Sequence, residues 1–194
     1  MELALDLTKR YTYADYLTWI DDVRRELIDG FISLMAAPSD VHADVSSNIT
    51  YHLRSYVEKS RCTCKVFYAP YDVRLPKFGE TANNKIYSVV QPDICVICDQ
   101  SKRDEAGYCG APDMIVEILS KSTRRKDLHD KFLLYEQAGV QEYWIANPKT
   151  KSVTVHILQE DGTYSDGSEY VQGEQVPVHI FSDYLIDLHD IFKK

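Results

Sequence analysis

From His42 to Glu58 the apolar residues Val45, Ile49, Leu53 and Tyr56 recur at helical spacing, which predicts an amphipathic helix with one face on a core. Upstream, Thr12 is placed to cap a short helix through Trp19, with Asp15 in the first turn where a carboxylate favours the helix dipole. Arg25 to Met35 sets Asp29-Gly30 between two β-prone runs, a strong hairpin signal. Lys65 to Leu75 and Tyr87 to Cys98 have the β-branched and aromatic content of strands, and Gln91-Pro92 interrupts the second so that a strand starts near Asp93. Met114 to Leu119 is almost continuously apolar, the pattern of a strand covered on both faces. Ser122 or Thr123 is expected to cap a helix reaching about Ala138, with Gly139 as its C-cap. Val140 to Ala146 and Val153 to Leu158 follow as strands across an Asn147-Pro148-Lys149-Thr150 turn. The strand, helix, strand order predicts a parallel crossover, hence an α/β (mixed α+β) fold with a mixed sheet flanked by helices. Lys77 to Asn84 and Gln100 to Gly110 read as irregular, and with no repeat or linker residues 1–194 read as one domain.

The composition is that of an ordinary globular chain. The 194 residues, 44% of them apolar, suffice for one full core. No apolar run approaches the roughly 20 residues that span a bilayer, and the N-terminus lacks the charge pattern of a signal peptide, so a cytoplasmic protein without membrane partners is expected. In a reducing compartment the five cysteines are expected to be unbridged and mainly buried as small apolar residues. A zinc site on Cys62-Thr-Cys64 or Cys95-Val-Ile-Cys98 is disfavoured, because residues three apart on a strand face opposite ways. The histidines show no metal spacing, and no glycine-rich phosphate loop occurs. The net charge of −8 repels polyanions at long range. Between Lys121 and Lys131, however, five basic and two acidic residues give a local +3, leaving −11 on the rest.

The chemistry begins with Glu117, the single charge in Met-Ile-Val-Glu-Ile-Leu. A carboxylate in a buried strand costs several kcal/mol unless it is paired or binds a metal. Asp93 opens the preceding strand, so if the two strands pair, both carboxylates can face the same side. Their repulsion is resolved by a hard divalent cation that takes oxygen ligands, with the Ile118 carbonyl as a further ligand. Asp127, Lys131 and Tyr135 fall at i, i+4 and i+8 and share a helix face, while Leu128, Phe132 and Leu133 are expected toward the core. Spacing alone favours a surface ion pair of Lys131 with Asp127.

Gln91-Pro92-Asp93, Glu117-Ile118-Leu119-Ser120, Ser122 to Asp127 leading to Lys131, and Gly139-Val140-Gln141-Glu142-Tyr143-Trp144-Ile145 together resemble the Uma-two family of bacterial proteins described as endonucleases, within the restriction-endonuclease-like PD-(D/E)xK superfamily. The resemblance runs from about Tyr11 to Leu158 and takes in Glu26 to Gly30 and His42. It implies a restriction-endonuclease-like core, Mg²⁺ or Mn²⁺ as cofactor, Asp93 and Glu117 as metal ligands, and hydrolysis of DNA phosphodiesters by activated water. The position two after the glutamate is Leu119, where the superfamily has lysine, and the resemblance transfers that role to Lys131 on the following helix. Glu26 resembles a further acidic residue of such sites, orienting water or forming a salt bridge at a strand end. His42 either lines the cleft or caps its helix.

The expected activity is therefore a Mg²⁺-dependent endonuclease with Asp93, Glu117, Lys131 and Glu26 as catalytic residues. Lys121, Arg124, Arg125 and Lys126 are candidate nucleic-acid contacts or a solvated helix start. The alternatives are a catalytically weak or inactive nuclease fold that binds nucleic acid or regulates, and a hydrolase of RNA or another phosphate ester. One site cuts one strand, so duplex scission would need a homodimer, for which the apolar tail with Ile180, Phe181, Tyr184, Leu185 and Leu188 offers either a contact or internal packing.

Overall fold

The computed structural model describes residues 3–120 and 129–193. Lys121, Arg124, Arg125, Lys126, Asp127, Leu128 and the expected cap at Ser122 or Thr123 lie outside the described residues. In chain order the elements are α1 (Tyr13–Tyr16), β1 (Arg25–Ile28), β2 (Phe31–Leu34), α2 (Asp40–Ser60), β3 (Lys65–Tyr68), β4 (Val73–Arg74), β5 (Val89–Val90) and β6 (Ile94–Ile97). They continue with β7 (Arg103–Asp104), β8 (Gly107–Cys109), β9 (Met114–Ile118), α3 (Lys131–Ala138), β10 (Glu142–Asn147) and β11 (Ser152–Ile157). The chain closes with β12 (Ser168–Val171), β13 (Gln175–Pro177), β14 (Leu185–Asp187) and α4 (Leu188–Ile191).

The strands build two mixed sheets, in the orders β2-β1-β5-β4-β8-β7 and β12-β11-β10-β9-β6-β3, beside a β13-β14 ribbon. The expected crossover is present: β9 and β10 pair in parallel, with Glu142 opposite Met114 and Ala146 opposite Ile118. The second sheet is apolar on both faces because its strands alternate between two cores. Ile94, Val96, Met114, Val116, Trp144 and Ala146 meet α2, α4 and the tail. Cys95, Ile97, Ile115, Tyr143 and Ile145 meet α3 and the first sheet. The tail packs within the monomer: Phe181 and Leu188 are buried, Ile180 and Tyr184 partly so, and Leu185 is exposed.

Local chemistry explains most boundaries. Asp29 and Gly30, at φ of 51° and 87°, make the β1-β2 turn, where positive φ at both positions matches the strand twist. Thr12 caps α1 in a reciprocal capping box with Asp15, but the helix ends at Tyr16 rather than continuing to Trp19. α2 begins slightly before the expected segment, capped by the Ser39 hydroxyl. Lys65 to Leu75 is not one strand: the chain bends at Ala69-Pro70, sending β3 and β4 to different sheets. Gln100 to Gly110 holds the short β7-β8 hairpin as well as a 3₁₀ turn.

Two expectations about side chains are corrected. Cys64 and Cys98 form a disulfide, because the antiparallel pairing of Lys65 with Ile97 continues outward to bring these flanking cysteines opposite each other. Cys95 points to the opposite face from Cys98, as the strand argument requires. On α3 the inward face carries Lys131, Leu134 and Tyr135, whereas Leu133 is exposed and Phe132 only partly buried. The helix thus turns its polar pair, not Leu133, toward the sheet.

Candidate active site

β6 and β9 pair antiparallel, with Ile94 opposite Val116, so one step beyond the ladder Asp93 stands opposite Glu117. Alternation along these strands puts both carboxylates on the face shared by Cys95, Ile97 and Ile115. Asp93 Oδ2 accepts from the Ile118 backbone N–H at 2.7 Å and lies 3.1 Å from His42 Nε2, which pins the carboxylate to the strand end and to the first turn of α2. Ser39 caps α2, so the His42 ring is left to face the cleft.

Glu117 is 3% exposed. Its Oε1 accepts from Lys131 Nζ at 2.7 Å and from the Tyr135 hydroxyl at 2.6 Å, both presented by one face of α3. Lys131 Nζ also lies 2.9 Å from Glu26 Oε1, and that oxygen accepts the Gln91 backbone N–H at 3.0 Å. One buried ammonium therefore ties β1, β9 and α3 together, with the residue before Pro92 as the fourth anchor. The surface pairing of Lys131 with Asp127 that spacing favours gives way to this buried one, because α3 faces the sheet through Lys131 and Tyr135. Burial, then the charges of Glu117 and Glu26, push the Tyr135 hydroxyl well above its ordinary value and keep it a donor. Burial and Glu117 likewise push the Cys95 thiol up, which keeps it neutral.

These groups form the floor of a cleft of about 1680 Å³ between α2, the end of β2 and the turn after β10, lined among others by Glu26, His42, Asp93, Glu117 and Lys131. Of the three site carboxylates, Glu26 and Glu117 hold the Lys131 ammonium and Asp93 is held by His42 and the Ile118 N–H. No hydrogen bond of the described residues ends on Asp93 Oδ1. Among the described residues, no group of three or more His, Cys, Asp or Glu side chains forms a ready metal cage. Two carboxylates completed by substrate phosphate are nevertheless how Mg²⁺ is commonly held, so the oxygen-only donor set fits a hard cation.

A family described as "Uma2: Putative restriction endonuclease" matches residues 13–188. The chain belongs to the Uma2 family. An uncharacterized Synechocystis sp. protein is 25% identical over 153 residues, covering 77% of this chain and 75% of its own. A crystal structure described as a "putative nuclease belonging to DUF820" from Anabaena variabilis superposes with a TM-score of 0.74 at 22% identity, covering 94% of this chain and 97% of that one. That likeness establishes a shared fold. Among the described residues no helix of this Uma2 chain is long and apolar enough to cross a membrane.

All four residues expected to be catalytic, Glu26, Asp93, Glu117 and Lys131, line the same cleft. Tyr135 as the second donor to Glu117 was not anticipated, although its i+4 spacing from Lys131 was the available signal. The cleft cations Arg24, Arg54 and Lys149 had no sequence signal, since they come from three distant segments.

Proposed function

We propose that this Uma2 protein is a nuclease that hydrolyses DNA phosphodiesters with Mg²⁺ or Mn²⁺ held by Asp93 and Glu117. The observation that carries the reading is the Lys131 ammonium fixed between Glu26 and Glu117, beside Asp93, at the floor of an open cleft. A cation there would supply positive charge opposite the reacting phosphate and acidify water. The chain's own groups do the rest. The Ile118 N–H and His42 hold Asp93 in one orientation, and Tyr135 holds Glu117, so the two carboxylates are preorganised before substrate arrives. Lys131 places a fixed charge where negative charge grows on the non-bridging oxygens as water attacks phosphorus and the P–O bond to the leaving group breaks. Glu26 keeps that ammonium in place and can orient the attacking water. One site breaks one strand, so a duplex break takes two copies.

The test is incubation of supercoiled DNA with the protein in Mg²⁺, Mn²⁺ or EDTA, beside Asp93→Asn and Glu117→Gln. Nicking that needs metal and is lost in both variants is the expected result. Intact DNA with wild type under every metal condition overturns the reading and favours a nucleic-acid-binding or regulatory role.

A further inference from the structure

The cleft above the carboxylates is built unlike the rest of this acidic surface. Arg24, Arg54 and Lys149 line it, and none of the three bonds a carboxylate among the described residues. Arg24 donates to the Gln91 side-chain oxygen, and Arg54 donates to the Val66 carbonyl while its guanidinium lies 5.3 Å from the Tyr68 ring centre. On a chain of net charge −8, cations whose hydrogen bonds go to neutral groups are gathered around the candidate active site, with Asp72 acting on Arg24 only from across the Gln91 amide. Glu58, at the far end of α2, is the acidic lining residue outside the site itself. Two large aromatic side chains share the walls with these cations: Tyr51 is 67% exposed and Tyr68 53% exposed. Tyr68 pairs with Ile94, so its backbone is one residue along the ladder from Asp93 while its ring lies on the α2 side of the sheet, under Arg54, at the cleft wall rather than its floor.

From these contacts we infer that the cleft binds single-stranded DNA, its phosphates on Arg24, Arg54 and Lys149 and its bases against Tyr68 and Tyr51. The inference rests on the nuclease reading and names its substrate class. Solvent-facing aromatic rings beside unneutralised arginines are the arrangement that holds unpaired bases, because every base has a face to stack. A duplex keeps its bases stacked inside and would leave both rings bare. Asp93, the most open of the site carboxylates with 17% of its side chain exposed, also sits at the floor, where a single strand entering the cleft can bring its backbone down to it. The volume exceeds the roughly 300–1,000 Å³ of small-molecule pockets, which fits a chain rather than a mononucleotide. Arg54 lies twelve residue steps along α2 from His42 at the site, a track of about 18 Å at roughly 1.5 Å per step.

The experiment is fluorescence anisotropy with a labelled oligodeoxynucleotide, single-stranded or annealed to its complement, in EDTA so that nothing is cut. The full chain and the variants Tyr68→Ala, Tyr68→Phe, Tyr51→Ala and Arg54→Ala are compared, with thermal melting to confirm that each is folded. Single strand should bind at least tenfold tighter than duplex. Tyr68→Ala should weaken it by roughly 5- to 150-fold, the range for one lost base–aromatic stack, while Tyr68→Phe retains binding. Arg54→Ala should lower the slope of log affinity against log salt by about 0.7, the value for one phosphate contact on a single strand. Duplex binding equal to or tighter than single strand, or folded tyrosine variants that bind like wild type, overturns the inference. The two readings fail separately. Metal-dependent nicking without single-strand preference leaves the nuclease and removes the track, whereas tight single-strand binding without cleavage of any DNA leaves the track and removes the nuclease.

Discussion

Replacing Lys131 by methionine keeps the side chain's length and removes its charge from between two buried carboxylates. The Lys131 and Glu117 side chains are each 4% exposed and that of Glu26 is 0% exposed, so solvent offers little compensation. Breaking a buried ion pair from one side typically costs about 3–5 kcal/mol, because the remaining charge stays buried. Here two carboxylates are left facing each other, which puts Lys131→Met toward the upper end. At roughly 2–4 °C per kcal/mol for a chain of this size, the melting temperature should fall by about 6–20 °C in metal-free buffer. Replacing Glu117 by glutamine in the same protein removes one of the stranded charges. The double variant should therefore lose less than the sum of the single changes, with a coupling of about 1–3 kcal/mol. Calorimetric or circular-dichroism melts of the four proteins in EDTA close the cycle. A drop of less than about 2 °C for Lys131→Met, or strictly additive losses, would refute the buried three-way contact.

Tyr135→Phe deletes one hydrogen bond to a charged oxygen and should cost about 1.5–3 kcal/mol, less than Lys131→Met, in the same melts. Asp93→Asn keeps an oxygen that can accept from Ile118 but removes the charge, so the melting temperature should change little while calorimetric Mn²⁺ binding is lost; undiminished binding would place the metal elsewhere. Burial, with Asp72 next for Tyr16 and Asp99 next for Tyr108, pushes both hydroxyls up to about 12, and burial raises Tyr135 as well. These tyrosines stay protonated in the folded chain at a pH where the unfolded chain ionises, so the stability they contribute is complete below about pH 10 and declines as pH climbs toward 12. Denaturant midpoints across that window, read beside ultraviolet tyrosine titration, should show it, and a flat profile would contradict the burial.

The carboxylate pair was legible in the sequence because β6 and β9 are short and apolar, with Asp93 immediately before β6 and Glu117 the one charge inside β9. Charge in a buried strand is not by itself diagnostic, however. Glu142 is as buried as Glu117, yet its oxygens are taken by the Trp144 indole N–H and the Ile180 backbone N–H, which fasten the tail to β10. Glu117 differs in opening onto the cleft and in facing a lysine. The face of α3 was misread at Leu133 because helical periodicity gives a stripe but not the side that docks; that side was decided by Glu117, which required Lys131 and Tyr135 to turn inward. The Cys64–Cys98 bridge was hidden for a related reason, since it follows from the register of β3 on β6, and register over a sequence separation of 34 is set by tertiary packing. The cleft cations are likewise a product of assembly, coming from the approach to β1, from α2 and from the turn after β10.

The proposed attack of water on a DNA phosphodiester at the Asp93–Glu117 site would leave an isotopic mark on the product. It is tested most directly by letting the protein cut a short oligodeoxynucleotide with Mg²⁺ in water enriched in heavy oxygen, then weighing the products by mass spectrometry beside Glu117→Gln. One heavy oxygen on the new terminal phosphate with wild type, and uncut DNA with Glu117→Gln, is the predicted result. Cleavage products that carry no heavy oxygen, or a Glu117→Gln protein that cuts as fast as wild type, would rule that attack out.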